Sequence, residues 1–384
     1  MRKMRKISIA ALALACITSL NSCKKEGCTD STATNFDSKA KKNNGTCIYI
    51  NPTYTVPTTY SFDRNGSSSI SFSGQTQRMN MLTEMVTYLK TANTPGTSID
   101  ATKLKDMYAN TNSQFSDVTL NTATKQLKNK TAGGDATIQA IFEDYMNSVA
   151  TISASTTSGK YEGRNGTAGV VQSGSKQYLF NAKGKEYTQL IEKGLMGAVF
   201  YNQITTSYLG DSKMNVDNST IVDGKNYTKM EHHWDEAFGY FTDSTAFPIG
   251  GKVFWAKYCD KRDTELGTNK SIMDAFIKGR AAITNKDLTT RNAQIVIIRN
   301  ELEKVTIATA AYYLNKAKLN ITDDCLRNHE LSEAITFIEA IKYGFGPSFT
   351  STEVDQMINQ IGNNFYEVKS TDLAEVIAKL DSKI

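Results

Sequence analysis

The chain has 384 residues, 40% of them hydrophobic and 22% charged, with 25 Gly and only 5 Pro. That composition excludes a disordered, collagenous or disulfide-dense protein and leaves one large domain or two smaller ones, each able to bury a core. Four of the 44 basic residues, Arg2, Lys3, Arg5 and Lys6, lie in an apparent leader, so the rest of the chain sets 40 basic against 39 acidic residues and has no bulk electrostatic reason to bind nucleic acid.

Residues 1–22 are laid out as a secretory signal, a basic stretch followed by the apolar run 7–20, which is too short for a membrane span. The run ends in Leu20-Asn21-Ser22-Cys23, which resembles a bacterial lipobox. In such signals cleavage precedes the cysteine, which is then acylated. The resemblance implies lipidation at Cys23, attachment to a membrane, and an outer-membrane lipoprotein facing the periplasm or the exterior. Cys28, Cys47, Cys259 and Cys325 then sit in an oxidising compartment. Cys28 and Cys47 are the expected disulfide, being close in sequence and inside one small motif; Cys259 and Cys325 either pair or remain buried thiols.

Residues 23–49 are expected as the acylated N-terminus followed by a small cysteine-bounded module. Its segment GCTDSTATNFDSKAKKNNGTCIY resembles a short module frequent in secreted and surface proteins of Bacteroidota. Asp30, Asp37 and nearby amide oxygens offer hard ligands suited to Ca²⁺. Asn43 and Asn44 replace two acidic residues of the module's usual close, which favours a stapled spacer without an ion. Residues 50–59 read as a linker, and residues 60–384 as the helical domain.

That domain opens with the one good hairpin signal, Tyr60 to Phe72 alternating around Asp63-Arg64-Asn65-Gly66. Helical periodicity then covers 75–92, 136–152, 184–208, 226–242, 271–284, 288–318, 323–343, 351–361 and 371–380. Segments 153–174 and 210–223, rich in Ser, Thr, Gly, Asn and Asp, read as loops, the glycine-rich 163–174 as a mobile one. The expected fold is an all-α helical-bundle assembly with a small β-hairpin near its start, and the length accommodates two adjacent bundles.

All three histidines fall beside carboxylates in two predicted helices. In YTKMEHHWDEAFGYF, Tyr227, Met230, Trp234, Phe238 and Phe241 form an apolar stripe, while His233 and Glu236, or His232 and Glu236, converge on another face. In RNHELSEAITFIEAI, Glu333 shares a face with Leu326, Phe337 and Ala340, one turn after His329. A carboxylate on an apolar face needs a partner when buried, and Arg280 is the expected one. The two His–Glu helices are therefore expected to face each other across one polar site built from His233, Glu236, His329, Glu333 and Arg280. A divalent metal is the cofactor those residues allow, with packing alone as the competing reading. The zinc-protease helix, a phosphate-cradling glycine loop, a Gly-x-Ser-x-Gly elbow and Cys-x-x-Cys are all absent from the sequence.

The segments SFSGQTQRMNMLTEM, KGLMGAVFYNQI, YTKMEHHWDEAFGYF, AFIKGRAAI and LSEAITFIEAIKYG resemble an uncharacterised Bacteroidota lipoprotein family, known chiefly as a domain of unknown function. More distantly the chain is similar to the imelysin-like proteins, helical bundles of the cell envelope linked to iron uptake. Their Gly-x-His-x-x-Glu signature falls on His233 and Glu236, with Glu231 in place of the glycine. The resemblance implies an imelysin-like fold and a metal-related role. The reading is a lipid-anchored, non-enzymatic binding protein of the envelope with a ligand or envelope partner still to be named. Its rivals are a metal-dependent hydrolase, with Glu236 or Glu231 as general base, and a structural envelope protein.

Overall fold

The computed structural model describes residues 25–29, 33–48 and 53–384. The leader, Cys23 and Asp30 lie outside the described residues. The chain divides into two units, Met1–Pro52 and Thr53–Ile384. In the first, β1 (Glu26–Gly27) pairs in parallel with β2 (Lys42–Asn43), and Cys28 is disulfide-bonded to Cys47. The Asp37 carboxylate takes the Lys25 ammonium at 2.5 Å and the Lys39 N–H at 2.9 Å.

The second unit begins earlier than a linker through residue 59 would allow. Tyr54 and Val56 pack on the core, and the Tyr54 hydroxyl donates to Asp287 Oδ2 at 3.0 Å. A short hairpin follows, β3 (Asp63–Arg64) against β4 (Ser67–Ser68), its turn made by Asn65 and Gly66 at positive φ, as a two-residue Asn-Gly turn requires. Thirteen helices come next: α1 (Ser73–Lys90), α2 (Ala101–Ala109), the short α3 (Val118–Asn121), α4 (Ala136–Ala154), α5 (Tyr187–Leu195), the short α6 (Asp211–Met214), α7 (Lys229–Phe241), α8 (Phe254–Leu266), α9 (Thr268–Thr284), α10 (Leu288–Leu319), α11 (Asp324–Ala340), α12 (Ser351–Ile361) and α13 (Ser370–Asp381). Their starts carry caps. Asp135 accepts from Thr137 and Ile138 N–H, Asp323 from Leu326 N–H, and Thr228–Glu231 and Thr350–Glu353 close full capping boxes. No helix among the described residues is long and apolar enough to cross a membrane.

Three sequence expectations change. Segment 153–174, with its glycine-rich part 163–174 expected to be mobile, is not loop throughout, because β5 (Gly169–Ser173) pairs antiparallel with β6 (Lys176–Phe180) around Gly174-Ser175. Gly163 packs so close to this hairpin that a Cβ would sit 2.5 Å from the Gly169 carbonyl oxygen, so its glycine serves a close approach. Segment 210–223 holds α6. The helix expected from 184 starts at Tyr187 and continues beyond Leu195 as two π-helical turns, Met196–Tyr201 and Gln203–Tyr208, whose wider bore carries a run of almost wholly buried side chains.

The helices of the second unit gather around α10, which packs against α8, α9, α11 and α13, so one unit stands where two bundles were allowed for. At 32 residues it is about 48 Å long. Residues 305–311 are buried on every side of it, and their Thr and Ala side chains let the neighbours approach. Thr306 and Thr309 hydroxyls return to the carbonyls four residues back, at 2.7 and 2.6 Å, which satisfies them inside the core.

One ionic network is sealed within this core. Arg280, on α9, is fully buried. Its Nε donates to Asp235 Oδ1 (3.0 Å), Nη1 to Glu231 Oε1 (2.9 Å) and Thr284 Oγ1 (2.6 Å), and Nη2 to Ser69 Oγ (3.2 Å) and the Ser69 carbonyl (3.3 Å). Arg64 grips Glu231 with two N–H groups at 2.9 and 3.0 Å. Burial alone would raise the Glu231 carboxyl, but Arg64 and Arg280 hold it down to about 2. Arg280→Met would leave the buried Asp235 without a cation and Glu231 with Arg64 alone, and is expected to cost about 3–5 kcal/mol, read as a lower denaturation midpoint with an unchanged m-value.

Candidate functional site

A cavity of about 340 Å³ lies between α5, the first half of α11, the side of α8, and β6. Its floor is ionic. Glu186, fully buried at the start of α5, accepts the His329 Nδ1–H at 2.6 Å. His329 Nε2 lies 3.6 Å from Glu333 Oε2, and its ring stacks on Tyr178 of β6 with centroids 4.0 Å apart and planes 5° from parallel. Lys193, also buried, reaches Glu192 at 2.5 Å and Glu333 at 3.5 Å. Lys90 closes on the second Glu192 oxygen at 3.4 Å.

The electrostatics follow from that crowding. Burial would lower the His329 imidazole, but the charge and hydrogen bond of Glu186 and the charge of Glu333 override it and raise the ring to about 9, so it is an imidazolium at neutral pH. Burial, then the charge of Glu333, pushes Glu330 up to about 7. At the mouth, Lys257 and Lys261 project from successive turns of α8, and among the described residues no carboxylate stands within ion-pair distance of either. The cavity wall therefore carries five cationic groups (Lys90, Lys193, Lys257, Lys261 and His329) against three carboxylates (Glu186, Glu192 and Glu333). A broader hollow of about 750 Å³ beside the β3–β4 hairpin has Asp63 as its only charged wall residue and offers less chemistry.

The other expected site residues belong elsewhere. Glu236 on α7 accepts from Gln75 Nε2 (3.0 Å) and the Tyr208 hydroxyl (3.1 Å), with His232 Nε2 at 3.8 Å. His233 Nδ1 donates to the Lys213 carbonyl at 2.9 Å, and burial lowers its ring, keeping it neutral. The single site expected from the two His–Glu helices is thus three separate networks: Arg280 with Glu231 and Asp235, His232 with Glu236, and His329 with Glu186 and Glu333. The cations that meet Glu333 are Lys193 and His329, not Arg280, because Arg280 has spent all its donors on α7, Thr284 and Ser69. Glu231, bound by two guanidiniums, is unavailable as a general base. No group of three or more His, Cys, Asp and Glu able to hold a metal ion occurs among the described residues. Cys259 and Cys325 are buried free thiols.

Sequence reasoning missed Glu186, Lys193, Lys257, Lys261 and Tyr178. The signal for one of them was present: Lys193 forms an adjacent charged pair with Glu192 inside the largely apolar YTQLIEKGLMGAVF.

The chain belongs to the family described as a domain of unknown function (DUF4856), whose match spans residues 57–383. No curated protein and no solved structure matches it.

The pH dependence of stability follows with a definite sign. His329 has a folded value raised above its ordinary 6.5, so its contribution is full below that value and is lost as pH rises toward about 9. Wild type should lose up to about 3 kcal/mol across that window relative to His329→Gln, measured by urea titrations at fixed ionic strength. Glu330, raised above its ordinary 4.5, adds a separate loss between that value and about 7, which Glu330→Gln should abolish.

Proposed function

We propose that this protein is a lipid-anchored binding protein of the cell envelope, without catalytic activity, that takes a small anion in the His329–Lys193 cavity. The anchor rests on the basic-then-apolar leader ending in Leu-Asn-Ser-Cys. The anion reading is carried by one observation. Each buried carboxylate of the floor has a cation, yet Lys257 and Lys261 at the mouth have no carboxylate partner among the described residues. A carboxylate or phosphate ligand supplies the missing charge, and charge-assisted hydrogen bonds to lysine are stronger than neutral ones. Tyr258, between the two lysines on α8, lies with its ring 5.6 Å from the Lys261 ammonium and its hydroxyl 3.4 Å from that of Tyr313, which helps to place that lysine at the mouth.

A metal-related, imelysin-like role is the second reading, and one feature supports it. With Nδ1 of His233 donating to a carbonyl, Nε2 keeps its lone pair, the tautomer arrangement common to metal-bound histidines, and Glu236 lies one turn on. Such a site would need ligands from outside the chain, since two residues do not complete it.

Inorganic phosphate or succinate, titrated at constant ionic strength, should raise the melting temperature of wild type saturably. Lys257→Gln with Lys261→Gln should weaken that binding by about tenfold or more while leaving the unliganded melt close to wild type. Identical responses of wild type and variant would overturn the anion reading. Metal analysis of untagged protein then separates the two readings, near zero per chain for the first and near one for the second. For the anchor, wild type should enter the detergent phase on partitioning and Cys23→Ala should not.

A further inference from the structure

A second cavity, of about 220 Å³, opens on a different face of the α5–α11 pair. It lies below the range of drug-sized pockets, about 300–1,000 Å³, so it suits a smaller molecule. Its body is apolar, with Phe142, Leu190, Ile335 and Ile358 in the wall and Gly194 bare so that the Phe142 ring can lie against the backbone. A Cβ at Gly194 would come within 2.7 Å of that ring.

The polar groups of this cavity are incompletely used. Tyr145, Tyr187 and Tyr343 line it, and none of their hydroxyls has a hydrogen-bond partner among the described residues. Burial first, then the Glu339 charge, raises Tyr145 to about 12, so its hydroxyl stays a donor at any working pH. Lys185 contacts Asn363 Oδ1 at 3.3 Å and the Phe365 ring, but no carboxylate among the described residues pairs with it. Glu339 Oε1 shares the Lys342 ammonium with Asp355, at 3.1 and 2.5 Å, so one cation serves two carboxylates and Glu339 Oε2 is left over. A cation and a carboxylate thus line one small cavity without reaching each other.

We propose that this cavity binds a small zwitterion with an apolar body, of which a free hydrophobic amino acid is the simplest, its carboxylate toward Lys185, its ammonium toward Glu339 and its side chain against Leu190 and Ile335. A ligand bearing one charge would satisfy one of the two groups and face the other with like charge. A wholly apolar ligand would leave both charges and the three hydroxyls as they are. The inference is independent of the anion site, whose lysines and histidine it does not use.

Calorimetric titration of the mature protein tests it with L-phenylalanine, 2-phenylethylamine, which lacks the carboxylate, and 3-phenylpropionate, which lacks the ammonium. L-Phenylalanine should bind one site per chain, and each single-charge analogue should be weaker by about tenfold or more. Glu339→Gln should remove the advantage of phenylalanine over phenylpropionate, and Lys185→Gln its advantage over phenylethylamine. Both residues are partly exposed, and circular dichroism checks that the variants fold. The comparison of the three ligands on wild type stands even if a variant does not. Absence of phenylalanine binding up to about 10 mM, equal binding of all three ligands, or unchanged preference in folded variants would each overturn the proposal.

Discussion

A guanidinium with no access to water is tolerable only if every donor is used and its charge is cancelled where it stands. Arg280 meets both conditions. Its five N–H groups go to Asp235, Glu231, Thr284 and Ser69, and the Phe62 ring lies 5.0 Å from its central carbon. Glu231 is shared with Arg64 and with the N-cap of α7; Asp235 is shared with the Tyr60 hydroxyl at 2.7 Å and the Ser71 N–H at 3.2 Å. The network therefore fixes three pieces of chain against one another: the 60–71 segment, α7 and α9. Trp234 is seated by the same arrangement, its indole N–H on the Phe276 carbonyl and its ring over Gly279, where a Cβ would lie 2.1 Å from the ring. The α7 helix cannot rotate to present its histidines elsewhere without breaking these contacts.

The His329 cavity uses the same chemistry with a different balance. In the core, two guanidiniums meet two carboxylates and nothing is left to bind. In the cavity, the floor is matched but the rim is not, and the surplus is positive and reaches solvent. The Glu186–His329–Glu333–Lys193 chain also holds α5 to α11, and the Glu186 N–H donates to Ser332 Oγ at 2.9 Å on the same pair. A ligand that adds charge there acts on groups that join two helices. The cavity proposed for a zwitterion lies on another face of the same two helices.

Much of the architecture was legible in the sequence because apolar periodicity and caps act locally. The helices expected from 136, 288 and 351 begin at those residues, directly after the caps Asp135, Asp287 and Thr350, and the expected hairpin turns on Asn65-Gly66. The β5–β6 hairpin was obscured by its glycine- and serine-rich approach, although Gly174-Ser175 is itself a two-residue hairpin turn. Helix α8 was missed because KYCDKRDTEL spreads charge around the helix, and those charges include the lysines of the cavity mouth. His329 and Glu333 were found because they sit one turn apart. Their partners Glu186 and Lys193 were not, because pairing across helices depends on which faces pack, and a single helix carries no record of that. The same limit misassigned Arg280 to Glu333. Its residue type and buried stripe required an acidic partner, and two were available on α7.

The central claim is that the His329 cavity holds a pre-formed imidazolium among carboxylates in the resting protein. With only three histidines in the chain, selective ¹⁵N labelling of the imidazole rings and an NMR pH titration report on it directly. The account requires one histidine to remain doubly protonated at pH 8, with its signals absent from the His329→Gln spectrum. Three rings all neutral by pH 7.5 would contradict it.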